Sequence, residues 1–249
     1  MSIIPPGLTR LLQFYLSGPL PCPYLPGRIE RKLFTRISGP VETDTEVNSA
    51  LTRAGFRRSH DIIYRPACSD CSACVPVRVP VVAFEPSRSL RRIASMNQDL
   101  TLEVTKPDIT DELYKLFMDY QSARHPDSEM AQMSVADFTL MLQEGQADTY
   151  IYQMRESSGV LAGAIITDHI SDGVSAVYSF FSSREPRRSL GALMILTLIK
   201  EMQEKRLPYV YLGYWISASR KMAYKSRFRP LQALGPHGWD WLDLTDKTK

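Results

Sequence analysis

Residues 186–216, PRRSLGALMILTLIKEMQEKRLPYVYLGYWI, contain a helix and a strand that together indicate an α/β fold. Proline at position 186 suits the first turn of a helix, and the apolar side chains that follow recur at helical spacing up to Lys205. They are Leu190, Leu193, Met194, Leu198 and Met202. The run 209–216 is apolar almost throughout, as in a strand buried on both faces. This pair predicts a helix packed on the interior of a sheet.

The segments around this pair predict further strands and helices. Upstream, the spacing of apolar residues indicates one strand, two helices and three strands, in that order. These lie at 100–105, 110–124, 135–143, 149–155, 160–169 and 174–182. Ser134 is a candidate cap for the second helix, with Asp137 as its acidic partner, and short polar turns between the three strands predict an antiparallel meander. Downstream, a basic amphipathic helix is expected over 218–228, ended by Pro230.

This order of elements resembles the GNAT acyltransferases (Gcn5-related N-acetyltransferases). The resemblance implies an α/β (α+β) fold with a mixed, mostly antiparallel sheet. In that family the pyrophosphate of coenzyme A lies at the start of the central helix, on a loop of the form Gln/Arg-x-x-Gly-x-Gly/Ala. Here the segment 188–193 ends in leucine where the loop has a small residue, so coenzyme A is not expected. Gly191 alternatively serves the close packing of the helix on the sheet.

Residues 1–98 differ in character from the rest of the chain. We expect them to form a smaller N-terminal domain that contains the cysteines, followed by the GNAT-like domain over 99–249. The first part of the chain is rich in proline and glycine, which predicts an irregular segment with at most a short helix around 9–16.

Regular structure in this N-terminal part is predicted to be sparse. A weak helical pattern covers 46–54 and ends at Gly55, and a short strand is expected over 61–64. The segment 75–84 alternates in the manner of a strand. Its prolines, at positions 76 and 80, favour the edge of a sheet because proline cannot donate to a ladder.

Charge is distributed unevenly along the 249 residues, although the net charge is only +3. The blocks 1–106 and 184–229 are basic and flank an acidic block over 107–183. The two basic blocks could meet in space as one positive surface for nucleic acid. The alternative is that these charges belong to ordinary solvated helix faces.

The sequence gives no sign of a membrane segment or a secretion signal. The longest apolar run, 190–199, is about half as long as a membrane-spanning helix. Early prolines and the lack of a basic residue before Arg10 argue against a signal peptide. We therefore expect a cytoplasmic protein with no membrane partner, whose oligomeric state the sequence does not indicate.

Four cysteines are candidates for a metal site. Cys68, Cys71 and Cys74 form a C-x2-C-x2-C run that lets several thiolates converge from one tight loop, and Cys22 is a possible fourth ligand. Four such ligands suit either zinc or an iron–sulfur cluster. Free, redox-sensitive thiols are the alternative, because Arg65 and other basic residues nearby could stabilise thiolates without a metal.

Several longer motifs resemble, in order and spacing, the aminoacyl-tRNA-protein transferases. The N-terminal ones are CPYLPGR at 22–28, GFRRS at 55–59, YRPAC at 64–68, VRV at 77–79 and PSRSLRR at 86–92. The C-terminal ones are YVYLGYWI at 209–216, KMAYK at 221–225 and FRP at 228–230. The resemblance covers roughly residues 20–235, and the opening CPYLPGR is similar to the bacterial leucyl-transferring branch. Leu25 stands where the arginyl-transferring branch has a second cysteine.

The resemblance implies that the chain transfers leucine from leucyl-tRNA to proteins with N-terminal Asp or Glu, forming a peptide bond that marks them for degradation. Arginyl transfer to the same acceptors is the close alternative. A coenzyme A-dependent N-acetyltransferase and a non-enzymatic metal–thiolate RNA-binding module are the more distant ones.

The chemistry of that reaction sets modest demands on the protein. An aminoacyl ester is already activated, and an N-terminal amine with a pKa of about 7.7–8.0 is partly neutral at pH 7. Positioning and oxyanion stabilisation therefore supply most of the catalysis, and no nucleophile triad is expected from the four histidines. The catalytic candidates are Tyr214 and Asp168, with Asp168 holding the amine.

The binding candidates follow from the charges of the two substrates. An acidic acceptor needs arginine forks, for which the candidates are Arg57, Arg65 and Arg78. A tRNA 3′ end needs aromatic rings for its adenine and cations for its phosphates. The candidates for the donor are Tyr211, Tyr214, Trp215, Arg187, Arg188, Lys221 and Lys225. Core packing and structural ion pairs are the alternatives for these residues.

Overall fold

A computed structural model describes residues 12–36, 41–143 and 148–243. Its centre is an eight-stranded mixed sheet. In chain order its strands are β7 (Val75–Pro80), β8 (Thr101–Thr105), β9 (Asp148–Arg155), β10 (Leu161–Ile170), β11 (Gly173–Phe181), β12 (Tyr209–Trp215), β13 (Gln232–Gly235) and β14 (Gly238–Trp241). Their order across the sheet is β14-β13-β7-β12-β11-β10-β9-β8. The predicted meander of β9, β10 and β11 is confirmed.

One pair of neighbouring strands in this sheet is parallel, and its ladder is short. Strands β11 and β12 pair over three rows, from Gly173 opposite Tyr209 to Ser175 opposite Tyr211. Both strands continue beyond these rows, β11 to Phe181 and β12 to Trp215, without pairing to each other. The sheet is therefore open between them.

Helices cover both faces of the sheet. They are α1 (Val41–Arg53), α2 (Arg88–Met96), α3 (Asp111–Arg124), α4 (Val135–Gln143) and α5 (Leu190–Glu204). Helices α2 and α5 share one hydrophobic core with Ile165 of β10, and α3 and α4 share another with the next residue, Ile166. Neighbouring residues of a strand point to opposite faces, so β10 is buried on both.

The N-terminal part forms a small second sheet. Its order is β1-β4-β6-β5, from β1 (Tyr15–Leu16), β4 (Lys32–Arg36), β5 (Arg57–Ser59) and β6 (Ile62–Pro66). A two-stranded hairpin of β2 (Leu20–Pro21) and β3 (Ile29–Glu30) carries the first cysteine in its turn. The predicted boundary near residue 98 falls between α2 and β8, whereas β7, which precedes it, pairs with β12 inside the large sheet.

Several expectations for single elements were wrong. Strand β7 lies between β12 and β13 rather than at an edge, because its pairing with β13 covers only Val77 and Arg78 and leaves both prolines outside that ladder. The helix expected over 218–228 is replaced by turns and a 3-10 helix at Ala223–Arg227. Of the short helix expected around 9–16, the first residues lie outside the described part, and Tyr15–Leu16 is a strand.

Other predicted features are confirmed in detail. Ser134 and Asp137 form the expected capping box, since the Ser134 hydroxyl donates to Asp137 Oδ2 at 2.7 Å and accepts from the Asp137 backbone N–H at 3.2 Å. Helix α5 occupies almost the whole predicted span. No helix in the described ranges is both long and apolar enough to cross a bilayer.

Candidate active site in the opening of the central sheet

The opening between β11 and β12 holds a cavity of about 510 Å³, which we call the splay cavity. Its wall includes Arg57, Tyr178, Leu212, Tyr214, Tyr224 and Lys225. Lys221 and Arg58, whose charge is paired with the buried Asp168, also line it, and no Asp or Glu does so in the described part of the chain. An excess of positive charge without carboxylates favours an anionic ligand.

Arg57 bridges the two strands that border the opening. Its Nη1 donates to the carbonyl oxygen of Leu212 at 3.3 Å, and its Nη2 donates to that of Val177. Gly213, which has a φ of 70° at an irregularity of β12, lets the guanidinium lie against the strand, because a Cβ there would collide with Nη1. Arg57 therefore holds a fixed position inside the cavity, as expected for a group that binds a carboxylate.

Lys225 is buried in the wall of the same cavity. Its Nζ donates to the carbonyl oxygen of Tyr214, and no salt bridge joins it to a carboxylate among the described residues. Burial, followed by the neighbouring Arg57, lowers the pKa of Lys225 well below its ordinary value. The sequence analysis predicted that Lys225 meets tRNA phosphates; in the structure its side chain is buried and does not lie at the surface.

Tyr214 separates the splay cavity from a second cavity. Its hydroxyl lies within hydrogen-bond distance of two backbone carbonyl oxygens as a donor, that of Gly55 at 2.9 Å and that of Tyr64 at 3.1 Å. Burial raises the pKa of Tyr214. Tyr24 and Tyr64 also line both cavities, and burial raises the pKa of Tyr24 to about 12. Tyr24 and Tyr214 are therefore neutral near pH 7 and are weak proton acceptors.

The second cavity, of about 1000 Å³, contains all four cysteines in its wall, and we call it the cysteine cavity. Cys22, Cys68, Cys71 and Cys74 are free thiols of intermediate burial. Burial, with the three other thiols, raises the pKa of Cys74 to about 11. Within the described ranges, no three Cys, His, Asp or Glu side chains are arranged to bind one metal ion, so we assign no step of a reaction to a metal.

A third cavity, of about 500 Å³, leads from the splay cavity to the start of α5, and we call it the entrance cavity. Five residues line both: Tyr120, His125, Ser179, Lys221 and Tyr224. Arg124 and Arg227 add positive charge, while Glu185 in the same wall is paired with Arg188. Ser189, in a left-handed conformation, precedes α5, and its side chain makes no capping hydrogen bond. Backbone N–H groups at such a helix start attract anions.

Gly191 has a packing role in this wall. A Cβ at this glycine would lie 2.9 Å from the Cε1 atom of Phe181. This distance is consistent with the expectation that the glycine permits the close approach of helix and sheet.

The structure does not bring three of the predicted site residues into the splay cavity. Asp168 is buried, and both of its oxygens bind Arg58, at 2.7 and 2.8 Å. Arg78 is also buried; its Nη1 donates to the Tyr211 hydroxyl at 3.0 Å, and its guanidinium lies 3.5 Å from the ring centroid of Tyr209. Asp168, Arg78 and Tyr211 are therefore bound by other side chains of the protein and do not line the splay cavity.

Four more candidates lie outside this cavity. Arg188 is held by Asp99, at 2.7 Å, and by Glu185, at 3.0 Å, so its charge is already paired. Arg187 is exposed, Arg65 lies at the cysteine cavity, and Trp215 packs against the core of α5. Of the predicted residues, the structure brings together Arg57, Tyr214, Lys221 and Lys225.

Sequence reasoning missed the aromatic and histidine residues that complete the wall. Tyr24 and Tyr224 lie inside motifs that were noted for the family resemblance, CPYLPGR and KMAYK, and this was the available signal. Tyr120 and His125 come from the end of α3, where helical periodicity explains the tyrosine as a core residue. Nothing in the sequence places that end of the helix beside β11.

Family models and individual relatives both match this chain and agree on one family. Residues 20–92 match the family described as arginine-tRNA-protein transferase, N terminus, and residues 112–235 match its C-terminal counterpart. The aspartate/glutamate leucyltransferase of Parvibaculum lavamentivorans is 50% identical over 93% of this chain and 95% of that relative. The protein of the same name from Paramagnetospirillum magneticum is 47% identical over 91% and 92%.

Among solved structures, L-PGS of Bacillus licheniformis resembles the chain with a TM-score of 0.50 at 14% identity, over 65% of this chain and 58% of that one. At this identity the likeness concerns the fold, and the predicted GNAT-like α/β fold is confirmed. The sequence relatives are much closer and extend over nearly the whole chain. This chain therefore belongs to the aspartate/glutamate leucyltransferases of the arginine-tRNA-protein transferase family.

Proposed function

We propose that this protein transfers leucine from leucyl-tRNA to the N-terminal amine of proteins that begin with Asp or Glu, marking them for degradation. The observation that carries the proposal is the splay cavity, which is lined by Arg57 and Lys221, has no carboxylate in its described lining and is continuous with an entrance that contains Arg124 and Arg227. An acceptor carboxylate and a tRNA 3′ end are both anionic, so one positive cavity system suits both substrates.

The acceptor is expected to bind through Arg57. Its guanidinium is fixed between Leu212 and Val177, and a fork in a fixed position is suited to a carboxylate. Binding the acidic side chain there would bring the terminal amine into the opening of the sheet. This is where the ester carbonyl of the donor would have to lie for attack.

The donor is expected to enter through the entrance cavity. Lys221, Arg124 and Arg227 would face the phosphates of the 3′ end, beside the uncapped start of α5. The leucyl side chain would then reach the apolar part of the splay cavity. That part is formed by Met130, Met141, Ile165, Ile166, Ile195 and Leu212.

Arginyl transfer is the close alternative, and the lining disfavours it. An arginyl group would place a second guanidinium beside Arg57 and Lys225, with no Asp or Glu in the described wall to pair with it. Unpaired burial of a charge is costly, whereas a leucyl group fits the apolar wall. The geometry therefore favours leucine as the donated residue.

The test uses purified protein, leucyl-tRNA or arginyl-tRNA, and three matched peptides that begin with Asp, with Asn or with N-acetyl-Asp. We expect label from leucyl-tRNA on the Asp peptide, roughly 10- to 100-fold less on the Asn peptide because one charge-assisted contact is lost, and none on the acetylated one. Equal transfer to Asp and Asn would contradict acceptor recognition by charge. Label from arginyl-tRNA alone would show the alternative donor.

We also propose that Cys22, Cys68, Cys71 and Cys74 close on zinc or an iron–sulfur cluster when one is supplied, since they share one cavity wall. Elemental analysis and an absorbance spectrum of anaerobically purified protein test this. Stoichiometric zinc or iron would support it, and neither metal would leave the four residues as free thiols. We propose that the reaction takes place in the cytoplasm, because charged tRNA is a cytoplasmic substrate.

A further inference from the structure

Lys225 is a buried lysine that the proposed function does not yet use. Its side chain is 3% exposed, so it is unsuited to phosphate contacts, and it ends in the wall of the splay cavity. We propose that Lys225 is the general base of the reaction and accepts a proton from the terminal ammonium group of the acceptor. This inference rests on the proposed function and deepens it.

The position of Nζ supports this role. A hydrogen bond to the carbonyl oxygen of Tyr214 fixes the amine on the β12 side of the opening. Arg57, the expected partner of the acceptor carboxylate, borders the same cavity and is close enough to lower the pKa of Lys225. An N-terminal residue held by Arg57 therefore has its amine within the same small space as Nζ. A neutral amine that donates to Tyr214 still has its lone pair free.

Charged and titratable groups surround Lys225 in the wall of the splay cavity. Those that line the cavity with it come from β5, β6, β11, β12, α3, the segment before β3 and its own segment. They are Tyr24, Arg57, Arg58, His60, Tyr64, Tyr120, His125, Tyr178, Tyr214, Lys221 and Tyr224. Cys74, outside this wall, raises the pKa of Lys225, but burial and Arg57 lower it more. None of these groups is a carboxylate.

Other proton acceptors in this wall are less suitable. Burial raises the pKa values of Tyr24, Tyr178 and Tyr214, which therefore stay protonated. His125 is partly exposed and lies where the entrance cavity begins, on the path of the donor. His60 belongs to the turn between β5 and β6. Lys225 is the buried acceptor beside Arg57.

The proton balance of the step is complete. Lys225 takes one proton from the ammonium group, and the neutral amine forms a bond to the ester carbonyl carbon. The carbon–oxygen bond to the ribose then breaks, and the second proton of the nitrogen goes to the departing ribose oxygen. The amide and tRNA with a free hydroxyl result, and Lys225 returns its proton to water. The reaction needs no oxidant or further reactant.

The experiment compares Lys225→Met and Lys225→Arg with the wild type, and with Lys200→Met as a matched control at an exposed lysine of α5. Single-turnover transfer of leucine to an Asp peptide is measured from pH 5.5 to 9, together with binding of leucyl-tRNA. We expect both Lys225 variants to lose roughly 100-fold or more in rate at pH 7. Their tRNA affinity should stay within about twofold, because Lys225 touches no phosphate.

The shape of the pH profile distinguishes a base from a structural lysine. The acidic limb of the wild type should report Lys225, whereas residual transfer by the variants should rise with pH until the acceptor amine itself is neutral. Should Lys225→Met not fold, Lys225→Gln, which keeps a donor towards Tyr214, gives the same measurement.

Two results would overturn the inference. One is a Lys225→Arg variant within about threefold of the wild-type rate, since a cation then suffices. The other is an acidic limb that disappears in His125→Gln but persists in Lys225→Met, which would assign the proton to the histidine. If the wild type itself transfers neither leucine nor arginine, the proposed function fails instead, and the two failures are distinguishable.

Discussion

Lys225 is a residue whose burial suits its proposed role as a base but lowers the stability of the folded protein. Burial, followed by the neighbouring Arg57, lowers the pKa of this amine well below its ordinary value, so folding favours loss of a proton that the unfolded chain holds. Function requires such a group where a proton is to be accepted. The same desolvation that makes it a base therefore weakens the fold.

We expect Lys225→Met to stabilise the protein by about 1–3 kcal/mol at pH 7, because methionine fills a similar volume without a polar group. The folded pKa of Lys225 lies below its unfolded value, so the unfolded wild type binds more protons between the two. The wild-type free energy of unfolding therefore rises with pH in that window and levels off above about pH 10.4. The gain in Lys225→Met should shrink accordingly. Urea unfolding from pH 6 to 10 measures this, and a gain that does not change with pH would contradict a neutral Lys225.

Asp168 shows the opposite arrangement, a buried carboxylate whose partner is in place. Removal of its charge in Asp168→Asn leaves Arg58 buried without an anion, which should cost about 3–5 kcal/mol. The double variant Arg58→Met with Asp168→Leu should recover most of that loss, since it removes both charges. Denaturation midpoints of the three proteins check this. A fully stable Asp168→Asn that has lost only transfer activity would restore Asp168 to the reaction.

At the scale of elements, the sequence patterns correctly predicted those features that depend on residues close together in the chain. The capping box at Ser134, the meander of β9 to β11 and the length of α5 depend on residues a few positions apart. The edge position of β7 was wrong because it depends on β13, more than 150 residues later in the chain, which covers only part of β7. The segment 218–228 is held in turns, with Lys225 bound to the Tyr214 carbonyl, and this contact overrides the helical pattern.

The irregularity of β12 at Gly213 also follows from a distant partner. Arg57 of β5 fills the space that a side chain at Gly213 would need, and no spacing in the sequence connects the two. The candidate site was therefore predictable as a set of motifs, and in part as residues. Its geometry was not predictable, because the opening between β11 and β12 and the arginine that bridges it arise from tertiary contacts.

Substitution of this glycine tests the bridge. Gly213→Ala should lose roughly 10- to 100-fold in transfer to Asp peptides, because the methyl group displaces the Arg57 guanidinium that binds the carboxylate. Gly159→Ala is the matched control, since Gly159 also has a positive φ, of 86°, but its Cβ would meet nothing within 4 Å. Both should lose about 1–2 kcal/mol of stability from backbone strain. Equal activity of the two variants, per folded protein, would contradict the role of Arg57.

At the scale of the whole molecule, the N-terminal part completes the site rather than standing beside it. It supplies Arg57 and Tyr24 to the splay cavity, and β7 to the sheet beside β12. The GNAT-like sheet alone would leave its opening without the bridging arginine. The walls of the cysteine cavity and the splay cavity share Tyr24, Tyr64 and Tyr214. These three side chains therefore connect the thiols with the candidate active site.

The positive charge of the entrance cavity makes a prediction about salt. A tRNA that meets Arg124, Lys221 and Arg227 releases counterions, so its affinity should fall linearly on a log–log plot against salt concentration. Arg124→Gln and Arg227→Gln should each reduce that slope by about 0.7–1 and weaken binding of every tRNA alike.

Lys200→Gln is the control for these variants, because it removes one positive charge from α5 at a point about 15 Å from the helix start that lines the entrance cavity, and so should leave the slope unchanged. Arg188→Gln should also leave it unchanged, since Asp99 and Glu185 already pair with that arginine. The slopes of all four variants are measured by fluorescence titration with labelled leucyl-tRNA at salt concentrations from about 50 to about 300 mM. If Lys200→Gln lowered the slope as much as Arg124→Gln, the tRNA would bind by net charge alone, and the entrance cavity would not be its path to the sheet opening.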